Sequence, residues 1–453
     1  MKSITKSSED EILEFYKEKS QIREKQKKEL GEVFTPIGLI DELLDALPKS
    51  VWTNPDLRWL DPAAGLGQFF AVIYIRLMKS LEKKIPNPNS RKIHILKNML
   101  FMVELNKKNV ASLKQIFGPS ANISNANFLD HPDKWKKDLG VETFDIVIGN
   151  PPFQSPKLSD YKGGAGKNIL WDKFVVSVLS STILNRSGHL AFVTPASWRR
   201  PESDLYELMT RKNRLLFLHI YGKSDGVKLF GIQSRFDLYV IEKNVDESEV
   251  HYNTNVLIDE TGSYHKSFSV SSWPFLPNYA FESIRKIMVP LEKGIPVIFD
   301  SSYYYYAHPL SKKRTEKNII PVVHGIVAEG LIIKYSDTKN PQQIGVKKVL
   351  LNFNEKQYPY VDYEGKYGMS QLTFGLPISS KIQGQQIKAA ILSPRFQEIL
   401  DATKWGAFQT DYRMFKYFDP LFYTKMAKKK TVKRTKVERR TRKNRRTLHL
   451  LDF

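Results

Sequence analysis

One corner of the sequence is built from residue types that can grip a planar amine. The apolar run FDIVIG leads directly into Asn150-Pro151-Pro152-Phe153. Two prolines remove two backbone donors and fix the chain near an extended form, so the carbonyl of Asn150 or of Pro151 can face a ligand without closing a turn. An Asn side-chain oxygen beside a fixed main-chain carbonyl offers two acceptors, which match the two hydrogens of an amine. Held that way, the amine points its nitrogen lone pair in one direction, and rate enhancement comes mainly from positioning. Phe153 adds a flat face on which a base drawn out of a duplex can stack. Taken alone, the four residues also read as a rigid loop that ends a strand.

A second group of residues lies upstream in WLDPAAGLGQFF, Trp59 to Phe70, which reads as a strand, a glycine turn and the start of a helix. Gly65 and Gly67 allow a tight turn and the close approach of a ligand where a Cβ would obstruct it. In a dinucleotide fold such a turn holds a pyrophosphate, but Asp61 immediately before it would repel phosphate. A ligand carrying an amino group and a sulfonium, such as S-adenosylmethionine, suits that carboxylate better. Glu104 ends the next strand, FMVEL, where an acceptor can bind two ribose hydroxyls. In NANFLD, Phe128 is placed to cover an adenine ring, and Asn127 or Asp130 to accept from its amino group; the competing reading of Asp130 is a helix cap. GEVFTP, Gly31 to Pro36, would bring Phe34 and Thr35 over the same ligand, and by itself would be only a helix start.

These residues need a scaffold, and the chain supplies an alternating one. Short apolar runs end at Asp61, Leu105 and Asn150, with helical patterns after Pro36, from Phe69 to Leu81 and from Lys107 to Phe117. A helix over 171–185 and strands over 189–194, 215–220 and 236–242 continue the pattern. Such alternation predicts a parallel sheet covered by helices on both faces. Residues 83–97, with Pro86, Pro88 and Asn89, read as a surface insertion. Beyond Val245 the alternation gives way to shorter strands, aromatics (Tyr303 to Tyr306 among them) and turn residues, so a boundary is expected there. The expected units are a charged helical arm (1–30), a catalytic domain (31–245), a second domain (246–424) and a basic, disordered tail (425–453).

Composition bounds the rest. With 41% hydrophobic and 26% charged residues, most of the 453-residue chain can bury a core. No stretch has the length of a membrane span, and the first residues lack the apolar middle of a signal peptide. The absence of cysteine removes disulfides, thiolate metal sites and cysteine nucleophiles, and suits a reducing, intracellular compartment. The nine histidines form no paired metal motif, so no metal is expected. The net charge of +22 favours an anionic partner. From Lys425 to Arg446 there are thirteen Lys or Arg against the single acid Glu438, a segment suited to phosphate contact; localisation, including nuclear targeting in a eukaryotic host, and solubility are its other readings. The glycine-rich loop from Tyr161 to Asn168 lacks Walker spacing and reads as a mobile cleft edge or a plain linker.

With GEVFTP, DPAAGLG, Glu104, NANFLD and NPPF in that order and a large region behind them, the chain resembles the N6-adenine DNA methyltransferases of the gamma arrangement, of the kind found in type II restriction-modification. The resemblance covers roughly residues 28–245. It implies an α/β fold, a Rossmann-like S-adenosylmethionine-dependent methyltransferase sheet followed by a C-terminal α+β target-recognition domain. By similarity, Phe34, Thr35, Asp61, Ala63, Gly65, Gly67, Glu104, Asn127 and Phe128 would contact S-adenosylmethionine. Asn150, Pro151, Pro152 and Phe153 would form the catalytic corner, with Phe153 and Phe230 stacking on the target base. Two departures stand out: Asn127 replaces a more frequent Asp, and Phe153 replaces a frequent Tyr, losing a hydroxyl but keeping the face. On local sequence, Phe230 also reads as a core residue before a strand. The expected activity is site-specific methylation of adenine N6 in double-stranded DNA, with a separate restriction endonuclease as a companion. Alternative readings are methylation of RNA adenine or of a protein glutamine, or a non-catalytic nucleic-acid-binding role. Arg314, Lys381, Gln383, Gln385, Gln386, Arg413 and Lys416 have the chemistry to read base edges.

Overall fold

The central strands are apolar on both sides of their pleat, which only a sheet covered on both faces can bury. Along the strands Phe144–Gly149 and Leu184–Pro195, Val147, Leu190 and Phe192 enter one core, while Ile146, Ile148, Ala191 and Val193 enter the other. This is the two-residue period of a strand. Each such aliphatic side chain contributes about 1.5–3 kcal/mol by leaving water, so the doubly covered strands form the rigid base of the molecule.

The structure is a computed structural model that describes residues 3–30, 34–130, 132–154, 169–244, 253–300, 302–303, 310–354, 356–406 and 409–426. In chain order the elements begin with α1 (Glu9–Leu30), α2 (Ile37–Asp45), β1 (Trp59–Asp61), α3 (Gln68–Ser80), α4 (Pro88–His94) and β2 (Leu100–Glu104). There follow α5 (Lys107–Phe117), β3 (Asn122–Asn125), α6 (Pro132–Leu139), β4 (Phe144–Gly149), α7 (Trp171–Ser180) and β5 (Leu184–Pro195). Next come α8 (Asp204–Thr210), β6 (Arg214–Tyr221), α9 (Lys223–Asp225), β7 (Phe236–Glu242), β8 (Asn253–Ile258), β9 (Tyr264–Ser269) and α10 (Phe281–Arg285). The C-terminal region holds β10 (Ile320–Val327), β11 (Gly330–Ser336), β12 (Lys348–Asn352), β13 (Tyr360–Asp362), β14 (Gly368–Met369) and β15 (Thr373–Pro377). It closes with α11 (Lys381–Ile391), α12 (Pro394–Ala402) and α13 (Phe422–Met426).

Strands β1 to β9 form a single nine-stranded sheet in the order β3-β2-β1-β4-β5-β7-β6-β8-β9. The β1, β2, β3, β4 and β5 pairings are parallel, and β7 runs antiparallel to both β5 and β6. Between β1 and β4 the chain order reverses, and open sheets of this kind bind ligands outside the strand C-termini at that switch. The residues that follow β1 and β4 begin with Pro62 and Asn150, so the two motif corners meet there.

Several sequence expectations differ from this outcome. The sheet is mixed rather than all parallel, because β7 and β9 run against their neighbours. Residues 83–97 are not a plain insertion: Asn87 caps α4 by accepting from the Ser90 N–H, Pro88 opens the helix, and a π-helical turn over Ile95–Met99 buries Ile95, Leu96 and Met99. The helix expected to reach residue 185 stops at Ser180, and β5 starts at Leu184. The sheet also passes the boundary expected at 245, since β8 and β9 extend it to Ser269. The region behind the sheet builds two three-stranded sheets, β11-β10-β14 and β13-β12-β15, which are mixed with helices. One hydrophobic core runs from Leu60 through to Met426, so this region is packed onto the nine-stranded sheet. Residues 1–2, 31–33, 161–168 and 427–453, with the expected N-terminal part of GEVFTP, the glycine-rich loop and most of the basic tail, lie outside the described residues.

Candidate active site

The turn after β1 works through two glycines with different tasks. Gly65 (φ +57°) has open space where a Cβ would stand, leaving its backbone approachable. Gly67 (φ +77°) is pressed against α5: a Cβ there would come within 2.4 Å of the Phe117 ring and 2.8 Å of Leu113. Close ligand approach is therefore a property of Gly65, and helix packing a property of Gly67. Ala63, beside them, donates its N–H to Asp61 Oδ1 at 3.1 Å.

Two carboxyls bracket the turn. Asp61 is 2% exposed, and burial, reinforced by nearby Glu104 and partly offset by the Ala63 N–H, pushes its carboxyl up to about 8. A buried acid in that condition is stabilised in its charged form by an arriving cation. Glu104 fastens the turn to the next helix: Oε2 accepts from the Gly65 N–H and Oε1 from the Asn106 N–H, both at 2.7 Å. Oε1 also accepts from Asn109 Nδ2 at 3.5 Å, so the carboxylate is held from two sides at the end of β2.

Asn150 lies across the switch point from this turn. Gly149, the residue before it, is close enough to Asp61 that a Cβ would meet the carboxylate Oδ1 at 2.9 Å. Asn150 Nδ2 donates to Thr35 Oγ1 at 3.1 Å, while Asn150 Oδ1 is buried with no hydrogen-bond partner among the described residues. Such an orphaned acceptor carries a desolvation penalty that a ligand N–H would relieve. Pro151 is buried, Pro152 exposed, and Phe153 half-buried. The Phe153 carbonyl accepts from the Leu170 N–H at 3.2 Å, and Gln154 pairs with Ile169, so the chain on either side of residues 155–168 meets beside Phe153.

The remaining predicted contacts divide. Thr35 is buried against the corner, and Phe34 packs on the core beneath α2. Asn127 Oδ1 accepts from the Leu129 N–H and its Nδ2 donates to Asp130 at 2.7 Å, which is a turn closed on itself. Phe128 is 3% exposed and stacks on Trp135 and Phe174 at 5.2 and 5.3 Å between centroids. Its ring is thus a core element in this structure. Phe230 ends a π-helical turn, Gly226–Phe230, and is buried against Phe236 at 4.8 Å. Its ring and that of Phe153 lie 6.5 Å apart at 73°, so the two faces expected around a target base are neighbours but not parallel. Of the base-edge candidates, Gln383, Arg413 and Lys416 are engaged with Ser379, Asp411 and Glu202.

Two supporting residues were not singled out from sequence. Tyr16 of α1 is buried and its hydroxyl donates to the Leu66 carbonyl at 2.9 Å, so the N-terminal helix braces the glycine turn. The apolar cluster of Ile12, Leu13, Phe15 and Tyr16 in an otherwise charged arm was the available signal. Arg199, fully buried, pairs with Asp237 at 2.7 Å and donates to the Leu276 and Pro277 carbonyls and to Asn278. An RR pair before a proline gives no sequence signal for this role.

Comparison with known proteins bears on the whole arrangement. Residues 79–227 match the Eco57I restriction-modification methylase family. An uncharacterized adenine-specific methylase of Mycoplasma pneumoniae is 27% identical over 270 residues, covering 44% of this chain and 63% of that protein. The type II methyltransferase M.PaeR7I of Pseudomonas aeruginosa is 27% identical over 192 residues, covering 38% of this chain and 32% of its own length. The chain therefore spans less than two thirds of these relatives. Among solved structures, that of a DrdV–DNA complex superposes with a TM-score of 0.50 at 12% identity, over 88% of this chain and 57% of that one, a likeness of fold. The resemblance to adenine-specific restriction-modification methylases, read from the motifs, is borne out by the family and sequence matches.

Proposed function

We propose that this chain, similar in its catalytic region to the restriction-modification methylases, transfers a methyl group from S-adenosylmethionine to the N6 amine of adenine in double-stranded DNA at a specific site. The observation that carries the proposal is the orphaned, buried Asn150 Oδ1 placed beside the strand-end acids. The residues present fit the methyl donor: Asp61 is a buried carboxyl that a cationic group would ionise, Gly65 leaves open space, and Glu104 can accept from hydroxyls. Asp61, Gly65, Glu104 and Thr35 would hold it.

When bound, S-adenosylmethionine supplies an electrophilic methyl group at the switch point. Asn150 Oδ1 and the Pro151 carbonyl would accept the two hydrogens of the target amine and orient its lone pair towards the donor. The donor-free Pro151-Pro152 backbone offers nothing to bind that lone pair in competition. Phe153 gives the extruded base a surface, and stacking of this kind is worth about 1–3 kcal/mol per base. Phe230, now edge-on to Phe153, would turn or be displaced to complete the sandwich. The C-terminal region, packed on the same core, is the part we assign to target recognition, and the basic tail is assigned to phosphate contact. A separate restriction endonuclease is the expected companion.

Labelled S-adenosylmethionine incubated with mixed-sequence duplex DNA should yield labelled N6-methyladenine. RNA and a glutamine peptide supplied in competition should take no label. Label appearing in either competitor but not in DNA would replace this reading, and label in nothing from a donor-loaded protein would leave only a nucleic-acid-binding role.

A further inference from the structure

Thr35 and Asn150 are 115 positions apart in the chain, yet one hydrogen bond joins their side chains at 3.1 Å. With Thr35 Oγ1 acting as the acceptor, that bond holds one end of the Asn150 amide and leaves the other to face the site. With Nδ2 held by Thr35 Oγ1, the oxygen Oδ1 is turned the other way, where it is buried and has no partner among the described residues. If the amide were rotated by half a turn, an NH2 group would confront the target amine and two donors would oppose each other. Thr35 is itself 3% exposed, and no acceptor for its own hydroxyl hydrogen is found among the described residues. A hydroxyl that donates becomes a better acceptor, because linked hydrogen bonds polarise one another.

We infer that Thr35 is a positioning residue for methyl transfer: its hydroxyl accepts from Asn150 to aim the amide oxygen at the target amine, and donates its own hydrogen to an acceptor group of the bound methyl donor. Donor occupancy and catalytic orientation are then linked through one hydroxyl. The Asn150 amide is held loosely before the donor binds and firmly afterwards. The inference rests on the proposed transfer to an adenine amine, and it goes beyond a simple contact between Thr35 and the donor.

The test uses the full chain with Thr35→Val, which keeps the shape and removes the hydroxyl, and Thr35→Ser, which restores it. At saturating S-adenosylmethionine, Thr35→Val should lose about tenfold in kcat, the equivalent of one hydrogen bond, with the KM for DNA little changed, and Thr35→Ser should recover most of the loss. An unchanged kcat with only the donor's KM raised would overturn the inference, since that is the behaviour of a mere donor contact. A second readout needs no turnover: with 15N-asparagine labelling, the Asn150 side-chain amide, identified by its loss in Asn150→Ala, should exchange with solvent more slowly when S-adenosylmethionine is added. In Thr35→Val that protection should vanish, and its persistence would overturn the inference. Thr35→Ala, read the same way, serves if Thr35→Val does not fold. A wild-type chain that transfers no methyl to adenine would defeat the proposed function, while the amide resonance would still report whether Thr35 holds Asn150.

Discussion

With its carboxyl buried at the end of β1 and Glu104 nearby, Asp61 is held protonated up to a pH of about 8, against an ordinary value of 3.8. A raised carboxyl pKa means that the folded chain binds a proton that the unfolded chain has released, so this group's contribution to stability is complete below about pH 4 and declines as pH rises through 8. A cationic ligand reverses the preference, so binding of S-adenosylmethionine near pH 7 should expel a proton. Calorimetry in buffers of different ionisation heat should show that release, with affinity rising from pH 6 to 8 and levelling above. In Asp61→Asn the release should disappear; buffer-independent heats for the wild type would contradict this reading of Asp61. At this scale the sequence was informative where the chemistry is local, as in the Asn150-Pro151-Pro152-Phe153 corner and the acids that end two strands. It was silent where a role depends on a distant partner. Neither the Thr35 bond to Asn150 nor the stack that takes the ring of Phe128 into the core can be read from neighbouring residues.

Each element around the site stands on a few close contacts, and Gly67 provides one of them. Replacing it by Ala would place a methyl group against the Phe117 and Leu113 side chains and force a left-handed conformation on a residue with a Cβ. Overpacking of that kind costs about 1–3 kcal/mol and the backbone about 1–2 kcal/mol more. The thermal midpoint of Gly67→Ala should therefore fall by several degrees, whereas Gly65→Ala, with open space beside it, should lose only the backbone part. Equal losses in the two variants would refute the division of tasks. The long, strongly patterned elements were legible: α5 and β7 have the bounds expected from their apolar spacing. Strand β9, YHKSFS, was not, because it is an edge strand whose residues are largely exposed, and its sequence lacks the apolar alternation that marks a half-buried strand. The helix α4 was hidden by the prolines and asparagines that in fact cap it.

Across the whole molecule, two buried arginines tie the nine-stranded sheet to the region behind it. Arg199 joins Asp237 on β7 to residues 276–278, and Arg235 joins Glu260 and Asp401 while donating to the Lys404 carbonyl. Burial raises the Asp237 carboxyl pKa against the opposing pull of Arg199. Removing the arginine alone, as in Arg199→Met, leaves an uncompensated buried acid and should cost about 3–5 kcal/mol in denaturant unfolding, much of it recovered by adding Asp237→Leu. A loss below 1 kcal/mol would show that the pair is not what joins the two regions. This seam explains why the expected boundary at residue 245 was misplaced: a change in composition marks where the strand and helix alternation ends, not where the shared core does. The proposed transfer requires the corner at the end of β4 to orient an adenine amine. Its most direct test is mass spectrometry of nucleosides from the DNA of a host without its own adenine methylation, expressing either the wild-type chain or Asn150→Ala. N6-methyladenine in the first and none in the second, with donor binding retained by both, is the predicted result. Equal levels of N6-methyladenine in the two, or none with the wild type, would contradict it.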